Sequence, residues 1–368
     1  MDTNKRWSKL YQYLEGVLTG FLDVASEANV VNPSPKFLLD LMPANGNLGE
    51  ALLRRNIMTD VRLYLDGVEK VGAPGVGVQI QYPLLDAAIM GQYTVDGYLR
   101  FYEKVAEEVR RRGMVLYAET SPVFSGTRFS NLVISYAGMT PAEYVQRRVA
   151  QAQMIADVLE PDYLSLAHEV STERLLTGLD VTDAQMVAAL SDMNFWHTGT
   201  TRIGGGLPAW EDNSSLTEQY GQAGDFYTAH LYPIKTGLRK DAGSQLHDLF
   251  WVLRGLPTNH EKIIGETWLY KATAFELLGG SPMERADRIY ARDMYAIWDQ
   301  LDALFLQAMH LLAQVAGISY VNLFWSRHCF AYATDSRADE AQLNRDVMTA
   351  IRAGALTQTG QVCRQLNG

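Results

Sequence analysis

The sequence has little cysteine, no excess of basic residues and no long apolar run. Only two of its 368 residues are cysteines, Cys329 and Cys363, so no disulfide framework holds the fold and two reduced thiols are expected. The 42 acidic residues outnumber the 32 basic ones, which argues against a nucleic-acid partner. No run approaches the length of about 18 apolar residues that a membrane span needs.

The first residues lack a clean signal peptide. Lys5, Arg6 and Lys9 could serve as its basic start, but Glu15 and Asp23 interrupt the apolar stretch that would have to follow. The sequence therefore predicts a cytoplasmic protein, or a secreted one whose leader has been removed. The oligomeric state stays open.

Eight short, near-continuous apolar runs recur along the chain, as in parallel strands that are buried on both faces. They are Phe37–Met42, Val76–Gln81, Met114–Ala118, Tyr163–Ala167, Thr201–Gly205, Phe226–Leu231, Lys262–Gly265 and Tyr320–Trp325. Amphipathic segments separate them, and no Pro/Gly/Ser-rich linker divides the chain. This alternation predicts an α/β fold, a (β/α)8 TIM barrel forming a single domain over residues 1–368. An open doubly wound sheet is the alternative, although no Gly-x-Gly-x-x-Gly turn follows an early strand.

Several helices have recognisable starts. Thr140-Pro141-Ala142-Glu143 and Ser281-Pro282-Met283-Glu284 are capping boxes with proline at the first helical position, and Thr182-Asp183-Ala184-Gln185 is a third capping box. Residues 4–30 are predicted to form an extra helix within an N-terminal extension over residues 1–34. The first helix of the barrel is expected at about residues 48–71.

Polar residues end the predicted strands, and in a barrel of this type the active site lies at the carboxyl ends of the strands. Two of these residues, Glu169 after the fourth strand and Glu266 after the seventh, should face each other across the barrel mouth. Paired carboxylates suit glycoside hydrolysis, in which one acts as acid and the other as nucleophile or base. The other polar or aromatic candidates for substrate contact are Asp40, Gln81, Glu119, His168, His230, Tyr232, Trp268 and Trp325.

The pattern resembles the glycoside hydrolase clan A superfamily of retaining (β/α)8 glycosidases, over roughly residues 35–355. Ile263-Ile264-Gly265-Glu266-Thr267-Trp268 is similar to the nucleophile strand of the clan, and His230-Leu231-Tyr232-Pro233 to its sixth-strand motif. The resemblance implies that Glu169 is the acid/base, that Glu266 is the nucleophile and that Tyr232 contacts Glu266. It also implies that Trp325 floors the sugar subsite, that the substrate is a β-linked carbohydrate, and that no cofactor is needed.

The sequence departs from the clan at two positions. His168 stands directly before the acid/base, where most members have asparagine; some mannan-cleaving members have histidine there. The strand-two arginine that often supports the nucleophile is missing, and Gln79 or Gln81 ends that strand. Retaining chemistry predicts carboxylates about 5–5.5 Å apart.

Two other functions stay open at this point. One is a barrel hydrolase or lyase that binds a metal through His168, His230 and a carboxylate, although no His-x-His or His-Glu-x-x-His spacing supports a metal site. The other is a carbohydrate-binding relative of the glycosidases without catalytic activity. The sequence identifies neither the sugar nor an endo or exo mode of cleavage.

Overall fold

A computed structural model describes residues 3–211, 213–232, 260–273, 276, 282–334 and 339–368. Eight parallel strands close into a barrel in sequence order, with β1 paired to β8. The predicted barrel and the preceding helix are thus confirmed. The strands are β1 (Lys36–Asp40), β2 (Gly75–Gln79), β3 (Val115–Glu119), β4 (Tyr163–Ala167), β5 (Arg202–Pro208), β6 (Phe226–Leu231), β7 (Glu261–Thr267) and β8 (Tyr320–Leu323).

Helices alternate with the strands and surround them. Those within the described residues are α1 (Thr3–Ala25), α2 (Ile57–Lys70), α3 (Ala87–Met90), α4 (Gln92–Arg111), α5 (Pro141–Met154), α6 (Val170–Thr177), α7 (Asp183–Trp196), α8 (Ser214–Ala223), α9 (Pro282–Asp293), α10 (Asp299–Ala316), α11 (Glu340–Ala353) and α12 (Gln358–Asn367). Helix α1 precedes the barrel and packs on α10. Within these ranges, no helix has the length and apolar character needed to cross a membrane.

The helix starts follow the capping signals. Thr140 accepts a hydrogen bond from the backbone of Glu143 at 3.2 Å, and Thr182 and Gln185 form the reciprocal capping box. Ser281 lies outside the described residues. The single helix expected at residues 48–71 is wrong: a 3-10 segment covers Gly46–Leu53, and α2 begins only at Ile57. The interruption falls near Gly49, whose φ of 54° is incompatible with a continuous helix.

Alternate residues of the strands point into the barrel, as their period of two requires. Five apolar residues from different strands pack together in the interior: Leu38, Tyr117, Tyr163, Phe226 and Ile263. Two residues further along their strands come Asp40, Glu119 and Ser165, which are buried polar side chains. The barrel interior therefore changes from apolar to polar toward the carboxyl ends of the strands.

Shifts in strand register change the direction of the last side chains of β4, β6 and β7. The register shifts between Ser165 and Ala167 on β4, between Ala229 and His230 on β6, and between Ile264 and Thr267 on β7. Such bulges turn side chains away from strict alternation. As a result, His230 pairs in register with Glu266.

Two glycines leave room that a larger residue would fill. A Cβ at Gly206 would collide with the backbone of Thr228 on the neighbouring strand. A Cβ at Gly265 would collide with the side chains of Glu119 and Tyr117. Gly265, the residue before Glu266, therefore makes space for the buried carboxylate of Glu119.

Candidate active site

A cavity of about 480 Å³ opens at the carboxyl ends of the strands, a volume within the range of small-molecule sites. Seven of the residues predicted from the sequence line it: Asp40, His168, Glu169, His230, Tyr232, Glu266 and Trp325. Five strands or their following loops contribute these side chains. The barrel thus brings together residues that are far apart in the chain.

Three predicted residues lie outside the cavity lining. Glu119 and Gln81 are buried beneath it, at 1% exposure each. Trp268 is fully buried and packs against Phe305 and His328, with ring centroids 6.4 Å and 5.6 Å away. Trp268 is therefore a core residue behind β7, contrary to the expectation that it contacts a substrate.

The imidazole of His230 is the centre of the site. Its Nε2 lies 3.1 Å from Glu119 Oε1, and its Nδ1 lies 3.0 Å from Glu169 Oε1 and 3.8 Å from Glu266 Oε2. Burial by itself lowers the pKa of His230, but the charges of Glu119 and Glu266 more than offset it and raise the pKa to about 10. The surrounding carboxylates therefore favour the protonated form of His230.

Glu119 is surrounded by hydrogen-bond donors. The Tyr117 hydroxyl donates to its Oε1, and Gln79 Nε2 donates to its Oε2 at 2.9 Å. Burial raises the pKa of Glu119, but the charge of His230 and the hydrogen bonds from His230 and Tyr117 outweigh burial and lower it. Glu119 is thus an ionised carboxylate that faces His230 from β3.

Glu266 receives hydrogen bonds from two side chains. Tyr232 donates its hydroxyl to Oε1, and Gln79 Nε2 donates to Oε2 at 3.0 Å. Burial raises the pKa of Glu266 to about 7, helped by Glu119 and Glu169 and opposed by His230 and Tyr232. Proton release from Glu266 therefore falls close to neutral pH.

Glu169 stands at the start of α6, directly after β4. Thr172 donates its hydroxyl to Glu169 Oε2 at 2.6 Å, which leaves Oε1 toward His230. A buried ion pair supports this corner: Arg148 binds Glu173 and donates to the backbone oxygens of Thr120 and Leu166. Arg148 thereby joins the ends of β3 and β4 behind the cavity.

His168 stacks on His230, with ring centroids 4.1 Å apart and planes 21° from parallel. Burial and the positive charge of His230 lower the pKa of His168 to about 3, so its ring is neutral. Together with Glu119, the two histidines lie close enough for a metal site to be considered. However, ring-nitrogen lone pairs lie in the ring planes, so stacked rings do not direct them toward one ion. The arrangement favours a hydrogen-bonded cluster.

The cavity also has an aromatic wall and a further carboxyl group. Tyr232 stacks on Tyr270 at 4.4 Å, and Trp325 packs edge-on to Tyr290 at 4.9 Å. Asp40 is 2% exposed, and among the described residues its Oδ1 has no hydrogen-bond partner. Burial, followed by the charges of Glu266 and Glu119, raises the pKa of Asp40 well above its usual value. Polar and aromatic groups thus converge on one space.

The sequence placed both Gln79 and Gln81 at the end of strand two and gave Gln81 as the substrate contact, but Gln79 is the one that reaches the carboxylates. Gln79 donates to both Glu119 and Glu266, whereas Gln81 donates to Gln79 at 3.2 Å. Strand β2 ends at Gln79, and its period of two places Gly77 and Gln79 on the inward face. Gln81 has the same parity, so the end of the strand at Gln79 and not its periodicity separates the two glutamines. No comparable signal indicated Tyr270 or Tyr290.

No protein-family model matches the sequence, and no curated protein matches it. Solved structures do match the fold. GH5_18 from Bifidobacterium longum subsp. longum ATCC 55813 has a TM-score of 0.61 at 11% identity, covering 90% of this chain and 78% of its own. The exo-beta-1,4-mannosidase Op5Man5 from Opitutaceae bacterium strain TAV5 has a TM-score of 0.56 at 13% identity, covering 90% of this chain and 59% of its own.

The chain therefore shares the closed (β/α)8 barrel fold of these two glycoside hydrolase structures. The resemblance seen in the sequence is thereby confirmed at the level of the fold. At such low identity the match supports no assignment of individual residues. Their roles have to be argued from the site itself.

Proposed function

We propose that this protein is a retaining glycoside hydrolase that cleaves β-linked sugars, with Glu169 as acid/base and Glu266 as nucleophile. The main support is that both carboxylates reach the same nitrogen, His230 Nδ1, at 3.0 Å and 3.8 Å. These two carboxylate oxygens cannot lie farther apart than the sum of those distances. This bound of about 6.8 Å admits the separation of about 5–5.5 Å that retaining enzymes need, and it excludes all but the shortest part of the range of about 6.5–9.5 Å found in inverting enzymes.

The reaction proceeds in two displacements. Glu169 protonates the departing glycosidic oxygen while Glu266 attacks the anomeric carbon, which forms a glycosyl-enzyme ester. Glu169, now ionised, accepts a proton from a water molecule. That water attacks the anomeric carbon and releases Glu266 as a carboxylate, and Glu169 regains its proton.

The surrounding groups suit these roles. The Tyr232 hydroxyl bond to Glu266 stabilises the ionised form needed for attack. Asp40 and His168 offer polar contacts to sugar hydroxyls, and the half-buried ring of Trp325 offers a flat face for stacking on a sugar. The pKa of Glu266, about 7, requires neutral or higher pH for full ionisation before substrate binds.

We propose β-1,4-linked mannosides as the first substrates to test. One matching solved structure is called an exo-beta-1,4-mannosidase, and another, at a TM-score of 0.59, holds Manβ1-4GlcNAc in a variant of GH5_18. His168 before the acid/base also agrees with the histidine of some mannan-cleaving members of the clan.

The decisive experiment is a screen of aryl β-glycosides and β-linked oligosaccharides, Manβ1-4GlcNAc included. Wild type is compared with Glu169→Gln, Glu266→Gln and the exposed control Glu107→Gln on α4. We expect turnover with retention at the anomeric carbon, seen by proton NMR. Glu266→Gln should lack it, and Glu107→Gln should keep it.

Three results would overturn the proposal. Inversion at the anomeric carbon would refute the nucleophile role of Glu266. Tight oligosaccharide binding without turnover would indicate a non-catalytic carbohydrate-binding protein. Activity lost to a chelator and restored by a divalent ion would favour a metal-dependent hydrolase or lyase.

A further inference from the structure

His230 lies between carboxylates on both sides of its ring. Its side chain is 2% exposed, and those of its partners Glu119 and Glu169 are 1% and 11% exposed. A neutral imidazole has one N–H donor and one acceptor nitrogen, whereas ionised carboxylates only accept. Each nitrogen of His230 therefore needs a proton placed between it and a carboxylate oxygen.

The proton on the Nε2 side is assigned by the contacts of Glu119. Both oxygens of Glu119 already accept hydrogen bonds, from Tyr117 and from Gln79. A carboxylate in this surrounding is ionised and has no proton to donate. The hydrogen bond of 3.1 Å to Glu119 is consequently donated by His230 Nε2–H.

The proton on the Nδ1 side is the one that matters for the proposed reaction. With Nε2 protonated, the 3.0 Å contact holds a proton on either His230 Nδ1 or Glu169 Oε1. The side chain facing the cavity is Glu169, the proposed acid. The proton that Glu169 would donate is thus shared with His230 Nδ1. The opposite nitrogen of His230 is hydrogen-bonded to the buried carboxylate of Glu119.

We propose that Glu119, His230 and Glu169 form a proton relay, in which Glu119 is a positioning residue that keeps His230 Nδ1 loaded with the proton Glu169 delivers. This inference rests on the proposed function. In the free protein the shared proton rests on His230 Nδ1, beside Glu169 Oε1. During the first displacement it moves to Glu169 Oε1, and Glu169 then gives it to the leaving oxygen, which leaves His230 neutral and Glu169 ionised. Glu169 later takes a proton from the attacking water, and this proton returns to His230 Nδ1.

The charges around His230 favour a proton on its Nδ1. Glu119 faces it from β3, neutral His168 and Glu169 from β4 and its end, and Glu266 from β7. Burial opposes the charged ring, but the pKa of His230 is raised to about 10 by Glu119 and Glu266. His230 also supplies a positive charge in a site where strand two presents the neutral Gln79.

The test reads the proton directly. ¹⁵N NMR of histidine-labelled protein distinguishes an imidazolium from either neutral tautomer, without substrate. We expect His230 of the wild type to carry protons on both nitrogens at pH 7. Glu119→Gln should lower its titration midpoint by about one pH unit or more, because an opposite charge at contact distance is lost.

Kinetics supply the second readout. In Glu119→Gln, the alkaline limb of kcat/KM should move to lower pH in parallel with the His230 titration, with little change in KM. Tyr117→Phe is the matched control: it removes one donor to Glu119 but keeps the negative charge, so His230 should stay protonated at pH 7.

The outcomes separate the relay from the proposed function. A neutral His230 in the wild type at pH 7 overturns the relay, even if Glu119→Gln fails to fold. The relay is also overturned if the alkaline limb of the kcat/KM profile lies at the same pH in Glu119→Gln as in the wild type. A protonated His230 in a wild type without glycosidase turnover refutes the proposed function and leaves the charge arrangement intact.

Discussion

Replacing Glu266 with glutamine should stabilise the protein at alkaline pH while it abolishes the proposed reaction. Folding places Glu266 in the barrel mouth and raises its pKa from the ordinary value of 4.5 to about 7, chiefly through burial. A carboxyl with a raised pKa binds its proton more tightly in the folded state. The preferential protonation of Glu266 in the folded state therefore stabilises the fold fully below pH 4.5, and this stabilisation is lost as the pH rises to about 7.

The size of this loss follows from the pKa shift. At 1.36 kcal/mol per pKa unit, ionised Glu266 destabilises the fold by about 3 kcal/mol above pH 7. Glutamine keeps the shape of the protonated carboxyl and never ionises, so the variant avoids this cost. For a chain of this length, about 3 kcal/mol corresponds to roughly 4 °C in Tm.

The assay is thermal unfolding of wild type and Glu266→Gln between pH 4 and pH 8.5. We expect similar Tm values at pH 4 and a more stable variant above pH 7. The exposed control Glu107→Gln should show no such pH-dependent difference. A Tm difference between Glu266→Gln and wild type that is constant across this range would refute the raised pKa of Glu266, and with it the electrostatic account of the site.

Three further predictions concern other parts of the site. Tyr232→Phe removes a charge-assisted hydrogen bond to ionised Glu266, worth about 1.5–3 kcal/mol, and so raises the pKa of Glu266. The acid limb of the pH profile of kcat/KM should therefore move to higher pH by about one to two units, and an unchanged limb would contradict this. Arg148→Met leaves Glu173 unpaired in the core and should lower the free energy of unfolding by about 3–5 kcal/mol in urea titrations; a loss below about 1 kcal/mol would contradict this. Trp325→Ala should raise KM about tenfold or more in steady-state kinetics with little change in Tm, and an unchanged KM would exclude it from the sugar subsite.

The strands and the position of the site were predictable from short-range patterns. Buried parallel strands leave near-continuous apolar runs, and the closed barrel requires their carboxyl ends to meet. The strands Tyr163–Ala167 and Phe226–Leu231 have the predicted bounds, and His168 and Glu169 follow the first of them. That is why Glu169, His230 and Glu266 could be placed at one cavity before the fold was known.

Other details depend on where each strand ends and on what packs around it. Gln79 and Gln81 have the same parity, and only the structure shows that β2 ends at Gln79 and that Gln79 reaches Glu266. For Trp268 and Trp325 the local sequence looks similarly aromatic, yet one is enclosed by the core and the other lines the cavity.

By itself, then, the sequence determined the eight strand-like runs, their alternation with helices and the polar residues that end them, because these follow from local periodicity; the structure decided for the closed barrel over an open sheet. Only the tertiary structure decided which of these polar residues touch. Glu119 and His230 are 111 residues apart, and their contact depends on strand register, including the shift between β6 and β7, and on the space left by Gly265. The raised pKa values of Glu266 and His230 have the same origin, since burial and neighbouring charges exist only in the folded barrel.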